Sequence, residues 1–138
     1  MLDLILCVDD DPITLMLCKM VIKKSEFAKE IITAQNGEDA LNYFDELKLN
    51  NLGAEIKNYP TLIFLDLNMP VMGGWEFLDN FSRETYTSCF SKTKVIVLSS
   101  TIDPQDIEKA KTYPMVLDFM SKPITTEMLE DLKSIFGK

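Results

Sequence analysis

The sequence contains no histidine, and this absence excludes several kinds of chemistry. Without imidazole, the chain has no Ser-His or Cys-His catalytic pair, no histidine metal ligand and no phosphohistidine of its own. Its three cysteines, Cys7, Cys18 and Cys89, are odd in number and lack CxxC spacing, so a disulfide framework has little support. The chemistry of this chain must therefore use carboxylates, hydroxyls and lysine.

Long hydrophobic runs and basic charge are also scarce. No apolar run approaches the roughly 20 residues of a membrane span. The N-terminal MLDLILCVDDDP lacks the basic flank and cleavage site of a signal peptide. The 14 basic residues are outnumbered by 22 acidic ones, and the net charge of -8 repels nucleic acids and anionic lipid surfaces. We therefore expect a cytoplasmic protein that binds neither nucleic acid nor membranes directly.

The length and composition of the chain are those of one folded unit. A chain of 138 residues with 46% hydrophobic and 26% charged residues is ordinary for a globular domain. No low-complexity block or linker divides it. We expect a single domain over residues 1–138, with no effector domain after Lys138.

Short apolar runs alternate with longer segments of helical periodicity. Runs such as VIVL and LIFL are apolar at consecutive positions, which is typical of parallel strands covered on both faces. Such βα units, joined by right-handed crossovers, predict an α/β fold with a doubly wound five-stranded parallel sheet in the order 2-1-3-4-5. The predicted strands are Leu4–Val8, Ile31–Ala34, Leu62–Leu65, Val95–Leu98 and Val116–Met120.

Five helices are predicted to follow these strands. The first starts near Pro12, because Asp11 can cap its free backbone N–H groups. The second follows NGED, the third runs from about Gly74, the fourth begins after DPQD, and the fifth lies near the C-terminus. Two long connections, residues 48–61 and 82–94, either extend helices or form partner-facing loops. The predicted inner stripe of the first helix is Ile13, Met16, Leu17, Met20 and Val21.

Polar residues stand at the carboxyl ends of the predicted strands. Strands one and three are neighbours in this order, and ligands of such folds bind beyond the carboxyl ends there. Three carboxylates drawn together repel one another unless a cation lies among them. Oxygen ligands without histidine or cysteine favour Mg²⁺ or a similar hard ion. The strand-end residues are Asp9, Asp10, Asp66, Ser99, Ser100 and Lys122.

An ion among these carboxylates can hold a phosphoryl group against Asp66. Lys122 then neutralises a second phosphoryl oxygen, and Ser99 donates a hydrogen bond to a third. Carboxylates form acyl phosphates, so Asp66 is the candidate nucleophile.

The motifs ILCVDDDP, TAQNGEDAL, LIFLDLNMPVMGGWEFL, VIVLSS and FMSKP follow one another along the chain. With them, essentially the whole sequence resembles the receiver domain of bacterial two-component response regulators, which has a flavodoxin-like, CheY-like (βα)5 fold. The resemblance implies that Asp66 is the phosphoacceptor and that Lys122 and Ser99 assist it. The Mg²⁺ ligands implied by the resemblance are Asp9, Asp10, Asp66 and the backbone carbonyl of Asn68.

The resemblance also implies a switch. Ser99 is expected to couple to the aromatic residue Phe119 on strand five, and Pro123 suggests a cis bond after Lys122. Phe119 lacks the tyrosine hydroxyl of many members, so its coupling must act through packing. Gly73 stands where an aspartate is common, and we expect a small effect on the start of the third helix.

By the same resemblance, the chain is expected to act as a phosphoacceptor switch. The phosphoryl donor is the phosphohistidine of a sensor histidine kinase or of a histidine phosphotransfer protein, and the modified chain changes its binding to an unknown output protein. We expect a monomer or weak dimer with self-catalysed phosphotransfer and autodephosphorylation, not a turnover enzyme. An alternative is a relay intermediate that passes the phosphoryl group to a phosphotransfer protein.

Two alternatives from other classes are less favoured. A small phosphatase of the haloacid dehalogenase kind uses an aspartate nucleophile, but it needs a second aspartate two residues later, where this chain has Asn68. A flavodoxin-like cofactor carrier needs phosphate-binding donors in its first βα turn, and that turn is acidic here.

Overall fold

Strands and helices alternate along the chain in the computed structural model, which describes residues 1–136. Three of the five strands consist mostly of buried apolar residues, whereas the other two are less buried and carry exposed charged residues, Lys29 and Glu30 in one and Asp118 in the other. The expectation that no effector domain follows Lys138 concerns a position outside the described residues. The strands are β1 (Leu2–Val8), β2 (Ala28–Ala34), β3 (Leu62–Asp66), β4 (Lys94–Ser99) and β5 (Val116–Ser121).

The described residues form six helices, one more than the sequence predicts. Four of them begin at a side chain that accepts a hydrogen bond from the first turn, namely Asp11, Asn36, Asp103 and Thr125. The helices are α1 (Pro12–Lys24), α2 (Gly37–Leu49), α3 (Gly74–Phe81), α4 (Glu84–Thr87), α5 (Pro104–Ala110) and α6 (Thr126–Ile135).

The five strands form one parallel sheet in the order β2-β1-β3-β4-β5, which confirms the predicted topology. The central strand β3 is buried along its whole length and pairs with β1 and β4. Because all strands run the same way, the residues that follow β1, β3, β4 and β5 meet at one edge of the sheet.

Two apolar layers cover the two faces of the sheet. Alternate side chains of β1, β3 and β4 pack against α2 and α3 on one face, and against α1 and α6 on the other. The first layer is rich in aromatic rings, with Phe44 lying 4.7 Å from Phe81 and 4.8 Å from Phe90 between ring centroids. The sheet is therefore a rigid support for the groups at its edges.

The predicted inner stripe of α1 is wrong. Ile13, Met16, Leu17 and Met20 are exposed, and Val21 is only partly buried. The helix has apolar residues on two faces, so periodicity alone does not choose between them. The face that packs on the sheet consists of Leu15, Cys18 and Ile22.

Three further features differ from the sequence prediction. Helix α2 begins at Gly37 instead of after NGED, because the Asn36 side chain accepts a hydrogen bond from the Asp39 N–H at 2.9 Å. Helix α5 begins at Pro104 instead of after DPQD, because Asp103 accepts a hydrogen bond from the Gln105 N–H at 2.9 Å and Pro104 suits the first helical position. The long connection at 82–94 contains α4, whereas residues 50–61 form neither helix nor strand.

Among residues 1–136, the structure contains no helix of the length and apolar character needed to cross a membrane.

Candidate functional site

Three carboxylates converge where β1 and β3 end. Asp9 and Asp10 follow β1, Asp66 is the last residue of β3, and one oxygen of each lies within 4.8 Å of the others. Asp9 and Asp66 are only 5% and 8% exposed, whereas Asp10 is exposed. The cluster therefore opens to solvent on the side of Asp10, and its oxygen donors fit a hard divalent cation.

The ammonium group of Lys122 lies against this cluster. Its Nζ is 2.6 Å from Asp9 Oδ2 and 3.2 Å from Asp66 Oδ1. The backbone N–H of Lys122 donates to the Ser99 carbonyl at 2.8 Å, which holds the lysine beside the end of β4. One ammonium among three carboxylates leaves an excess of negative charge that an additional cation would compensate.

The environment shifts the pKa values of two of these groups. Burial raises the pKa of Asp66, and the nearby Lys122 charge opposes that rise only in part. Burial alone would lower the pKa of Lys122, but the hydrogen bond to Asp9 and the charges of Asp66 and Asp9 outweigh it and raise that pKa. Lys122 therefore remains protonated at neutral pH and can neutralise anionic oxygens near Asp66.

Ser99 and Phe119 lie on the neighbouring strands β4 and β5. Ser99 is buried, and its Oγ accepts a hydrogen bond from the Thr101 N–H at 3.2 Å. Phe119 is partly buried and pairs with Val97, two residues before Ser99. The Lys122–Pro123 peptide bond is cis, which confirms that prediction.

The loop after Asp66 brings α3 close to the acceptor strand. A Cβ at Gly74 would lie 2.6 Å from the Asp66 carbonyl oxygen and 2.9 Å from Leu67 Cα, so only glycine fits there. Asn68 lies in this loop, and its carbonyl accepts no hydrogen bond from any residue in the range 1–136. That carbonyl therefore has its lone pairs available for a further partner.

Sequence reasoning missed an apolar surface beside the carboxylates. Ile13, Met16, Leu17 and Met20, here called the α1 patch, lie at helical spacing and are 47% to 63% exposed. The helix begins two residues after Asp10, so the end of the patch that contains Ile13 lies near the acidic cluster. The signal was present in the sequence, because α1 carries apolar residues on more than one face.

The parallel sheet with carboxylates at its switch point and a lysine after β5 defines a CheY-like receiver. The sequence matches the family described as "Response regulator receiver domain" over residues 5–133. The protein belongs to that family, and its chain is a receiver domain of two-component response regulators. Receiver domains interact with histidine kinases or phosphotransfer proteins.

Solved structures agree with this assignment. The chain is 32% identical to a two-component response regulator from Cytophaga hutchinsonii, with 99% of this chain and 98% of that chain covered and a TM-score of 0.84. The chemotaxis protein CheY4 of Vibrio cholerae has a TM-score of 0.74 at 21% identity, covers 98% of both chains, and supports the fold alone.

Curated relatives differ widely in length. The chain is 28% identical to the probable methanogenesis regulatory protein FilR2 of Methanothrix harundinacea, over 94% of this chain and 76% of that protein. It is 27% identical to hybrid signal transduction histidine kinase C of Dictyostelium discoideum, over 91% of this chain but only 9% of that protein. The chain thus spans a small part of some relatives and most of others.

Proposed function

We propose that the protein is a phosphoacceptor switch in which Asp66 takes a phosphoryl group from a phosphohistidine on another protein. The observation that carries this proposal is the position of the Asp66 carboxylate. Asp66 is the last residue of the central strand, and its Oδ1 lies 3.2 Å from Lys122 Nζ. One of its carboxylate oxygens also lies within 4.8 Å of an oxygen of Asp9 and of Asp10. An acyl phosphate formed there would have cationic groups on its oxygens from the start.

The donor set fits Mg²⁺ because it consists of carboxylate oxygens, with neither thiolate nor imidazole. In the proposed site Asp9, Asp10, Asp66 and the backbone carbonyl of Asn68 would hold the ion. Bound Mg²⁺ supplies positive charge that neutralises phosphoryl oxygens during transfer.

The proposed transfer step forms one bond and breaks one. An oxygen of Asp66 attacks phosphorus, the P–N bond of the donor breaks, and its electron pair returns to the imidazole nitrogen, which takes up a proton. Lys122, held by Asp9 at 2.6 Å, neutralises one phosphoryl oxygen, and the Ser99 hydroxyl donates to another. We propose that loss of the phosphoryl group to water is likewise self-catalysed, and that the chain is not a turnover enzyme.

The α1 patch supports the proposed donor. This chain has no histidine, so the phosphohistidine must come from a sensor histidine kinase or a histidine phosphotransfer protein. An exposed apolar helix face beside the acidic cluster is suited to dock such a partner close to Asp66.

The contacts of Ser99 suggest how the modified state is read. Its Oγ accepts the Thr101 N–H at 3.2 Å, and Thr101 belongs to the loop that leads into α5. Turning the hydroxyl toward a phosphoryl group on Asp66 pulls on that loop and shifts a two-state equilibrium. The partly buried ring of Phe119 would follow Ser99 through packing alone.

The proposal is tested by incubating the chain with acetyl phosphate and Mg²⁺ and measuring its intact mass. We expect one phosphoryl adduct that hydroxylamine removes and that EDTA prevents from forming. Asp66→Asn should abolish the adduct, whereas Asp131→Asn, an equal change at an exposed position on α6, should keep it. No adduct on the wild type, or an unchanged adduct on Asp66→Asn, would overturn the assignment.

A further inference from the structure

The two long connections of the chain build a cleft that the phosphoacceptor site does not use. The cleft has a volume of about 730 Å³ and lies between residues 51–61 and residues 88–92, bordered by Lys48 on α2. Ligand pockets commonly have volumes of about 300–1,000 Å³. Because these connections lead into β3 and β4, this amino-end cleft lies at the opposite end of the sheet from Asp66.

One wall of the amino-end cleft offers a free main chain. Residues 55–59 belong to neither helix nor strand. Within residues 1–136, no backbone N–H or carbonyl of these five residues takes part in a hydrogen bond. Backbone groups are strong donors and acceptors, and a peptide can satisfy a row of them as well as water does.

The shape of this wall is fixed by packing on both sides. Ile56 is buried in the apolar layer, and the Thr93 hydroxyl donates to the Pro60 carbonyl at 2.7 Å. The Lys92 N–H donates to the Tyr59 hydroxyl at 3.3 Å, and the Tyr59 ring meets Phe90 edge-on at 5.2 Å. A cleft held in this way loses little conformational entropy when it binds a partner.

The charge of the cleft is opposite in sign to that of the whole chain. Lys48, Lys57 and Lys92 line it, and none of them is within ion-pair distance of a carboxylate among residues 1–136. Of the two acidic residues that line it, Asp3 is paired with Lys29 at 3.1 Å, which leaves Glu55. A local basic surface on a chain of net charge -8 is complementary to an acidic partner.

We propose that the amino-end cleft binds an acidic peptide segment of a partner protein. Carboxylates of the segment pair with Lys57 and Lys92, and its main chain hydrogen-bonds to residues 55–59. Leu52, 77% exposed at the border of the cleft, provides an apolar contact for an intervening side chain. Nucleic acid is the less favoured polyanion, because the free backbone N–H and carbonyl groups of residues 55–59 match the main chain of a peptide, which nucleic acid lacks.

This binding does not depend on the phosphoacceptor role of Asp66. The five residues of β3 separate the cleft from the acidic cluster, which corresponds to roughly 17 Å at the usual rise per residue of a strand. The cleft is therefore a second contact surface on the receiver, and it is available in the unphosphorylated protein.

The test uses a fluorescein-labelled peptide of alternating glutamate and leucine and follows its anisotropy with the unphosphorylated full chain. We expect binding that weakens at high salt and no binding of the matched peptide with lysine in place of glutamate. Lys57→Glu/Lys92→Glu should weaken binding by about tenfold or more, since each exposed ion pair contributes up to about 1 kcal/mol. The matched control, Lys19→Glu/Lys23→Glu on α1, should change affinity by less than about twofold.

An amide-resolved NMR titration with the same peptide locates the contact without any variant. We expect the largest shifts at residues 55–59. The proposal is overturned by absence of binding, by equal weakening in both charge-reversal variants, or by shifts confined to the α1 patch. The proposal is also overturned if inorganic phosphate or a single-stranded oligonucleotide displaces the labelled peptide at a lower concentration than the unlabelled peptide does. The cleft would then be an anion or nucleic-acid site.

Discussion

The two ends of the sheet differ in how they use charge and packing. The carboxyl end holds three carboxylates against one lysine, with two of the carboxylates buried, and its loop includes Val71 with a φ of 68°. The amino end holds Lys57 and Lys92, which form no ion pair among residues 1–136, beside loops fixed by aromatic rings. Three carboxylates that repel one another at close range suit a site that binds a cation and a phosphoryl group. Packed loops with free polar groups suit a binding surface.

Removing the aromatic support of the amino end should produce the largest loss of stability. Phe90 is buried and its ring lies 4.8 Å from Phe44 and 5.2 Å from Tyr59. Phe90→Ala should lower the free energy of unfolding by about 3–5 kcal/mol, measured by urea denaturation. The folded fraction should still form the phosphoryl adduct, because the carboxyl end is unchanged. Loss of the adduct in the folded variant would contradict the separation of the two ends.

Removing the Lys122 ammonium group at the carboxyl end should cause a smaller loss of stability. Lys122→Met leaves the buried carboxylates of Asp9 and Asp66 without their shared donor and should destabilise the fold by about 1–3 kcal/mol. Mg²⁺ should restore part of this loss, because the ion binds the folded state. Lys57→Met at the amino end serves as the control, because this lysine is exposed and has no ion pair among the described residues, and we expect a change of less than about 0.5 kcal/mol in urea denaturation. Equal losses in the two variants would show that the ends do not differ in this respect.

Removing the hydrogen bond between Tyr86 and Asp45, near the amino end, should lower the free energy of unfolding by a smaller amount. The Tyr86 hydroxyl donates to Asp45 at 2.7 Å and joins α4 to α2, so Tyr86→Phe should destabilise by about 1 kcal/mol. Tyr43→Phe is the control, since that hydroxyl has no hydrogen-bond partner among the described residues.

The same bond predicts a pH dependence. Burial and the hydrogen bond to Asp45 raise the pKa of Tyr86 to about 12. The folded state favours the neutral phenol, so its contribution to stability is complete below the unfolded pKa of about 10 and is lost as the pH rises through the folded value. Urea denaturation near neutral pH and at strongly alkaline pH checks this; a Tyr86→Phe difference that persists unchanged across that range would contradict it.

The smallest expected effect compares one strained backbone position at each end. Val71 is β-branched and has a φ of 68°, whereas Glu26, which follows α1 near the amino end, has a φ of 51°. Val71→Gly should stabilise the fold by about 0.5–1 kcal/mol, because relief of strain exceeds the added entropy of the unfolded chain. Glu26→Gly should gain less, and thermal denaturation measures both. A larger gain at Glu26 would reverse the comparison.

The centre of the sheet could be predicted from sequence because β1, β3 and β4 contain continuous apolar runs, which are typical of parallel strands covered on both faces. Asp9 and Asp66 come together because each directly follows such a run, and Lys122 joins them because it follows the end of β5. The carboxylate nearest to Lys122 Nζ is that of Asp9, at 2.6 Å. Residue spacing in the sequence does not predict side-chain distances of this kind.

Other features depend on tertiary contacts and could not be predicted. Helix α1 has apolar residues on two faces, and only packing against the sheet selects Leu15, Cys18 and Ile22 as the buried set. Helix α4 has four residues, too few to form by propensity, and it is held by the contact of Tyr86 with Asp45.

The central claim is that the acidic cluster serves to modify one carboxylate, and locating the modification tests it most directly. Borohydride reduces an acyl phosphate of aspartate to homoserine, which peptide mass mapping assigns to one residue. After treatment with acetyl phosphate and Mg²⁺, we predict that homoserine appears at Asp66 alone. Homoserine at Asp9 or Asp10, or distributed over exposed carboxylates, would contradict the account.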